Sequence, residues 1–288
     1  MVVGLDIRSD SILAIRVGED GTVEARTLCD GCTGTVTADA VKAVAEGARG
    51  TAARMGAAVR AGESLASLVT AAAKALRVDR PTTVTTGAAV ALGEQWQGAA
   101  RGATHVVSIS IDNHVHAGIV IGGQVFQGAH GSAGDAAWLA LNPVERDDYR
   151  KLGCLEAEIS GKGIARRLVW RVKTGDHSRA LDLAGSIGAI TLAHVLDAAR
   201  DGDGVAVSVV RDTAKYIGMA IANLVAVVDP EVVVLGGMIA SAADLLVEPS
   251  RVEAVRRMSP RTVPKVVASV LGDDAAAIGA ARAAMLQG

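Results

Sequence analysis

The stretch Asp229–Ser241 reads DPEVVVLGGMIAS. Asp229-Pro230 is a stop signal for the helix that apolar spacing predicts over about 205–228. Val232 to Leu235 form an unbroken aliphatic run, the mark of a strand buried on both faces as in a parallel sheet. The run feeds a Gly236-Gly237 turn and then a helix. Helix, stop, buried strand, glycine turn, helix is the grammar of an α/β protein. The two glycines would let a nucleotide approach the backbone, and they serve equally for tight strand-to-helix packing.

The same grammar extends outward. Downstream, Lys265–Leu271 reads as the last strand, and Asp273 or Asp274 caps a final Ala-rich helix. Upstream, THVVSISI (104–111) and HAGIVIGGQVFQG (116–128) make a hairpin pair, followed by a glycine-punctuated loop and a mostly helical stretch over 153–200. The chain opens on VVGLDIRSDSILAIRVGEDGTVEARTL (2–28), which reads as three strands joined at Arg8–Asp10 and Glu19–Gly21. Residues 38–77 have helical spacing broken by a short strand around Met55–Gly62. Pro81–Thr85 is a further strand, followed by a polar turn and a helix over about 87–100. Strands followed by helices, twice over, predict two α/β lobes on similar plans: a shortened N-terminal lobe over 1–102, a C-terminal lobe over 103–272, and a terminal helix, 273–288, returning to the first.

With 288 residues and 50% hydrophobic content, the chain can bury a large core. A formal charge of −2 gives no field for a polyanion, and three Trp, two Tyr and one Phe leave little to stack on bases, so no direct nucleic-acid partner is expected. No basic-then-apolar leader opens the chain, and no charge-free run reaches the ~18 residues of a membrane span. The expectation is a cytoplasmic globular protein with no membrane partner. Cys29 and Cys32 form an isolated C-x-x-C, read as ordinary reduced thiols.

Asp6 at the end of the first strand, the loop in FQGAHGSAGDAAW (126–138), GCLEAEISGKGIARR (153–167), DPEVVVLGGMI (229–239) and VVASVLGDDAAAIGAA (266–281) occur in an order that resembles the ROK family of sugar kinases and sugar-responsive repressors. The resemblance implies the two-lobed actin-like ATPase (ribonuclease H-like) fold, with mixed sheets flanked by helices and ligands in an interlobe cleft. It also implies ATP and magnesium as cofactors, a sugar-like small molecule as ligand, and a homodimer.

Several positions depart from the family pattern. Asp6 is kept, but the glycine loop that would wrap phosphates reads Arg8-Ser9-Asp10. The second phosphate loop is Asp112-Asn113-His114, and a carboxylate there repels a triphosphate unless a metal intervenes. The Asn-Asp pair that carries the general base is Thr85-Thr86, and a hydroxyl cannot usefully take a proton near neutral pH. On the sugar side the Glu-x-Gly-His pattern is Asp135-Ala136-Ala137-Trp138, whereas Glu156 matches a family glutamate able to bind a hydroxyl. Cys154 alone survives of the zinc motif, with Asp147 and Tyr149 where cysteines would stand, so no structural zinc is expected. Asp112, His114 and His116 would share a face on one continuous strand, but a turn there makes solvent-facing turn residues the favoured reading over a metal triad. Trp138 either stacks on a sugar ring or fills the volume of the lost zinc ligands, and Asp135 is a turn or cap residue before it is a substitute base.

The leading expectation is therefore a catalytically degenerate ROK-family protein, a pseudokinase binding a small polar ligand or a protein partner. Thr85, Thr86, Asp135, Trp138 and Glu156 would lie on the substrate side and Asp6, Gly236 and Gly237 on the cofactor side. The alternative is an active ATP-dependent hexose or N-acetylhexosamine kinase with its base relocated to Asp135 or Asp112. A third reading, a sugar-responsive regulator without its own DNA-binding module, ranks lower because the first strand begins at Val2.

Overall fold

The computed structural model describes residues 1–30, 36–60 and 65–287; Cys32 and the end of the strand expected around Met55–Gly62 lie outside the described residues. The first sheet has the order β3-β2-β1-β4-β5, from β1 (Val2–Ile7), β2 (Ile12–Val17), β3 (Val23–Cys29), β4 (Arg54–Val59) and β5 (Thr82–Thr85). β1, β2 and β3 run antiparallel, while β1, β4 and β5 run parallel. Every residue of β1 is buried, Val2, Val3, Leu5 and Ile7 as apolar core and Asp6 as its one charged residue. β3, at the edge, buries none of its residues, and its charged Glu24 and Arg26 blunt an edge open to further pairing.

Helices α1 (Ala38–Ala48), α2 (Ala66–Leu76) and α3 (Thr86–Gln97) alternate with these strands. α1 and α2 supply Val41, Val44, Val69 and Leu76 to a core with Leu5, Ile7, Ile12 and Met55. Burying each such side chain contributes on the order of 1.5–3 kcal/mol. On another core α11 (Ala275–Leu286) packs with α3 and with β1, β2 and β4. The approach is close enough that a Cβ on Gly279 would lie 1.7 Å from the Ala89 carbonyl oxygen, which only glycine allows.

The second sheet repeats the first in order: β8-β7-β6-β9-β10, from β6 (Val106–Ile111), β7 (Val115–Ile121), β8 (Gln124–Val125), β9 (Val232–Gly237) and β10 (Lys265–Ala268). β7 and β8 are antiparallel, and β9 and β10 parallel. Between β8 and β9 come α4 (Asp147–Leu152), α5 (Cys154–Ile159), α6 (Gly161–Lys173), α7 (Arg179–Ala184), α8 (Leu192–Arg200) and α9 (Gly204–Val228), with α10 (Ala243–Met258) before β10. By contact the chain falls into two compact units, residues 1–108, 117–134 and 269–288 in one and 109–116 and 135–268 in the other. No helix among the described residues is long and apolar enough to cross a membrane.

Four local expectations need correction. α3 begins at Thr86, so strand passes into helix with no polar turn. Gly236 and Gly237 end β9 rather than forming a turn after it. The last strand stops at Ala268 because Ser269 and Leu271 donate to the buried carboxylate of Glu94 instead of to a neighbouring strand. Neither Asp273 nor Asp274 caps α11 with its side chain; Asp274 pairs with Arg26 at 2.9 Å.

Candidate functional site

Asp6 lies inside β1, one residue from its end, and is fully buried. A buried carboxylate requires a partner, since desolvating an unpaired charge costs several kcal/mol. The partner is Arg8: its Nε lies 2.6 Å from Asp6 Oδ2, and its Nη2 donates to the Asp273 carbonyl at 3.0 Å. Residues two apart on an extended chain face the same way, so the spacing itself brings them together. Arg8 thus ties the first hairpin to the turn ahead of α11 with a resident positive charge.

Thr85 is the N-cap of α3, its hydroxyl oxygen accepting from the Ala88 amide at 3.3 Å. Thr86 is the first helical residue, and both are half-buried. The start of α3 therefore offers hydroxyls and amides, which bind and orient but do not abstract protons near neutral pH.

In the second unit the turn between β6 and β7 is more engaged than the sequence suggests. Asp112, His114 and His116 are all half-buried, and only Asn113 among 112–116 is exposed, which corrects the reading of the three as solvent-facing turn residues. Asp112 Oδ1 accepts from the Met238 amide at 2.9 Å, and its carbonyl accepts from the Gly161 amide at 3.0 Å. Gly237 carries φ +69°, and a Cβ there would lie 2.7 Å from Asp112 Oδ2, so the glycine makes room for this carboxylate. His114 Nδ1 lies 3.1 Å from Oε1 of Glu156, whose Oε2 accepts from the Val115 amide at 3.0 Å. Asp112 and His114 therefore turn to different partners, and no cluster of three metal-ligating side chains occurs among the described residues.

Asp135 is exposed and precedes a short helical turn, Ala136–Trp138, without a capping hydrogen bond from its side chain. Trp138 is 55% exposed, against the reading of it as a filler of buried volume. Tyr149 is buried with Cys154 and Ala157, and its hydroxyl donates to Glu158. Burial, then the bond to Glu158, holds the Tyr149 hydroxyl well above the usual phenol range. Arg146 and Arg167 complete the charge balance around Glu158. This polar cluster escaped the sequence reading; alternating Arg and acidic residues over 145–167 were its only local signal.

The ROK family profile matches residues 65–286. The chain belongs to the ROK family. It is 36% identical over 194 residues to a glucokinase of Halalkalibacterium halodurans, covering 66% of this chain and 58% of that protein. A Thermotoga maritima glucokinase is 33% identical over 196 residues, covering 67% and 62%. The matches thus span about three fifths of these relatives' length. Among solved structures, a ROK family glucokinase from Streptomyces griseus, in complex with glucose and AMPPNP, superposes with TM-score 0.83 at 25% identity over 100% of this chain and 99% of that one. The ROK hexokinase from Thermus thermophilus also gives 0.83, at 24% identity, over 99% of each chain. The actin-like ATPase fold of ROK proteins is therefore the fold of this chain.

Proposed function

We propose that this ROK protein is a pseudokinase: it binds a sugar-like small molecule, while its own side chains close the phosphoryl-transfer apparatus. The observation that carries the reading is the 2.6 Å pair between buried Asp6 and Arg8. Where the family resemblance puts the metal–phosphate unit, the cation at the carboxylate is a guanidinium, which a magnesium ion would have to displace.

Two further features agree. Asp112 takes the Met238 amide at the end of β9, a donor of the kind that favours a phosphate oxygen, and adds a negative charge that disfavours a triphosphate. Thr86 stands in place of a base, and Thr85 uses its hydroxyl to cap α3. Phosphoryl transfer needs a neutralised phosphate, a positioned metal and an oriented hydroxyl, and each requirement meets one of these changes. The residues present do not fit magnesium–ATP, and no transfer step follows from them. The family resemblance assigns Glu156, Asp135 and Trp138 of one unit, and Thr85 and Thr86 of the other, to the sugar side, and the exposed indole of Trp138 suits the apolar face of a pyranose. A homodimer belongs to the same proposal and is measured by sedimentation.

The second reading, an active hexose kinase, is favoured by the glucokinases among the relatives. It assigns the base to Asp135, which is exposed, or to Asp112, which is half-buried. ADP release from magnesium–ATP across hexoses and N-acetylhexosamines, with Thr86→Asp as control, separates the two. Silence of the native protein together with a thermal shift from one sugar supports the pseudokinase. Sugar-dependent ADP release that disappears in Asp135→Asn supports the kinase.

A further inference from the structure

Gly163, Arg166, Arg167 and Trp170 on α6 stand at i, i+3, i+4 and i+7 and so share one helical face. With Arg146 and Glu158 they line a cavity of about 390 Å³ within the second unit. Its base is ionic. Glu158, 5% exposed, is held by Arg146 at 2.9 Å, by Arg167 and by the Tyr149 hydroxyl, so it is fixed in place. Asp148 bridges Arg146 at 2.8 Å and Arg166 at 2.9 Å. Three guanidiniums against two carboxylates leave one positive charge uncompensated.

The wall is suited to an incoming ligand. The side chains of Arg146 and Arg166 remain 45% exposed, and Arg166 meets both Asp148 and the Ala157 carbonyl through Nη2. Guanidiniums of this kind prefer the paired oxygens of phosphate and carboxylate. Trp170, 62% exposed, adds a flat apolar surface one turn along the same face. A cavity of this size sits at the small end of ligand pockets, which run from about 300 to 1,000 Å³.

We propose that this cavity is a binding site for a small ring-bearing oxyanion, with the anionic group on Arg146 and Arg166 and the ring against the Trp170 indole. A sugar phosphate and a sugar acid share this chemistry. The site involves none of the residues of the proposed sugar and nucleotide positions, and it stands whether or not the chain transfers phosphate.

Isothermal titration with glucose 6-phosphate, glucuronate, inorganic phosphate and neutral glucose tests it. Saturable binding of glucose 6-phosphate or glucuronate is expected, weakened roughly tenfold or more in Arg166→Gln, since a charge-assisted pair is lost. Trp170→Ala, at an exposed position, should weaken the ring-bearing anions and leave inorganic phosphate unchanged. Preference for the phosphate ester or for the carboxylate then identifies the natural class. Absence of saturable binding by all three anions overturns the proposal. So does anion binding unaffected by both substitutions, or competed by neutral glucose.

Discussion

At the scale of single residues, the chain meets its buried charges with partners close in sequence or in the fold. Asp6 has Arg8, Glu156 has His114 and the Val115 amide, and Glu158 has Arg146, Arg167 and Tyr149. Tyr149 carries a consequence for pH. Its hydroxyl ordinarily ionises near 10, and in the folded chain burial and Glu158 raise that value, so the unfolded state releases its proton first. Stability is then fully present below about pH 10 and falls as pH rises beyond it. Urea midpoints between pH 8 and 11 should show this alkaline decline, and Tyr149→Phe should flatten it even though the variant is less stable overall. Asp6 was legible in the sequence as a position kept from the family pattern, and Arg8 and the threonine pair as departures from it. That Arg8 lies on Asp6 was legible only as a two-residue spacing, and the pairing of His114 with Glu156 spans 42 residues and leaves no local trace.

Among the elements, close packing and capping set the stability. α11 lies against α3 with Gly279 at the contact, and a Cβ there would meet the backbone of Ala89 and, at 2.8 Å, of Gly93. Backbone cannot yield as a side-chain tip does, so Gly279→Ala should cost on the order of 1–3 kcal/mol and lower the melting midpoint by several degrees. α9 begins at Asp203, whose carboxylate accepts from the Ala206 amide at 2.8 Å. Desolvation raises the Asp203 pKa, but the amides of Ala206 and Arg179 and the Ser178 hydroxyl outweigh it and hold the carboxyl below its ordinary value. That contribution is present above the unfolded pKa and is lost as pH falls through the lower folded value. Asp203→Ala should cost about 1 kcal/mol at neutral pH and less under acid, as read by denaturant midpoints. Periodicity made most elements legible, because apolar alternation and Ala-rich faces are local properties. Their ends were less so: β10 stops where Ser269 and Leu271 turn to Glu94, a partner some 175 residues away in sequence.

For the molecule as a whole, the two sheets share one strand order, first β3-β2-β1-β4-β5 and then β8-β7-β6-β9-β10. The repeated rhythm of strands and helices made two lobes on similar plans visible in the sequence, though not their strand order, and the glycine-rich segments tied them to the ROK family. The proposed pseudokinase reading rests on a few side chains within the family's scaffold: Arg8 on Asp6, and Asp112 on the Met238 amide. The proposal is that Arg8 in the first unit and Asp112 in the second each put a side chain where the family resemblance places part of a magnesium–triphosphate site. Calorimetric titration of magnesium with a non-hydrolysable ATP analogue tests it most directly, on the native protein and on the paired variant Arg8→Gly, Asp112→Gly. The native protein should show no saturable binding, and the variant a gain of at least roughly tenfold in affinity. Tight binding by the native protein, unimproved by the paired change, would contradict it.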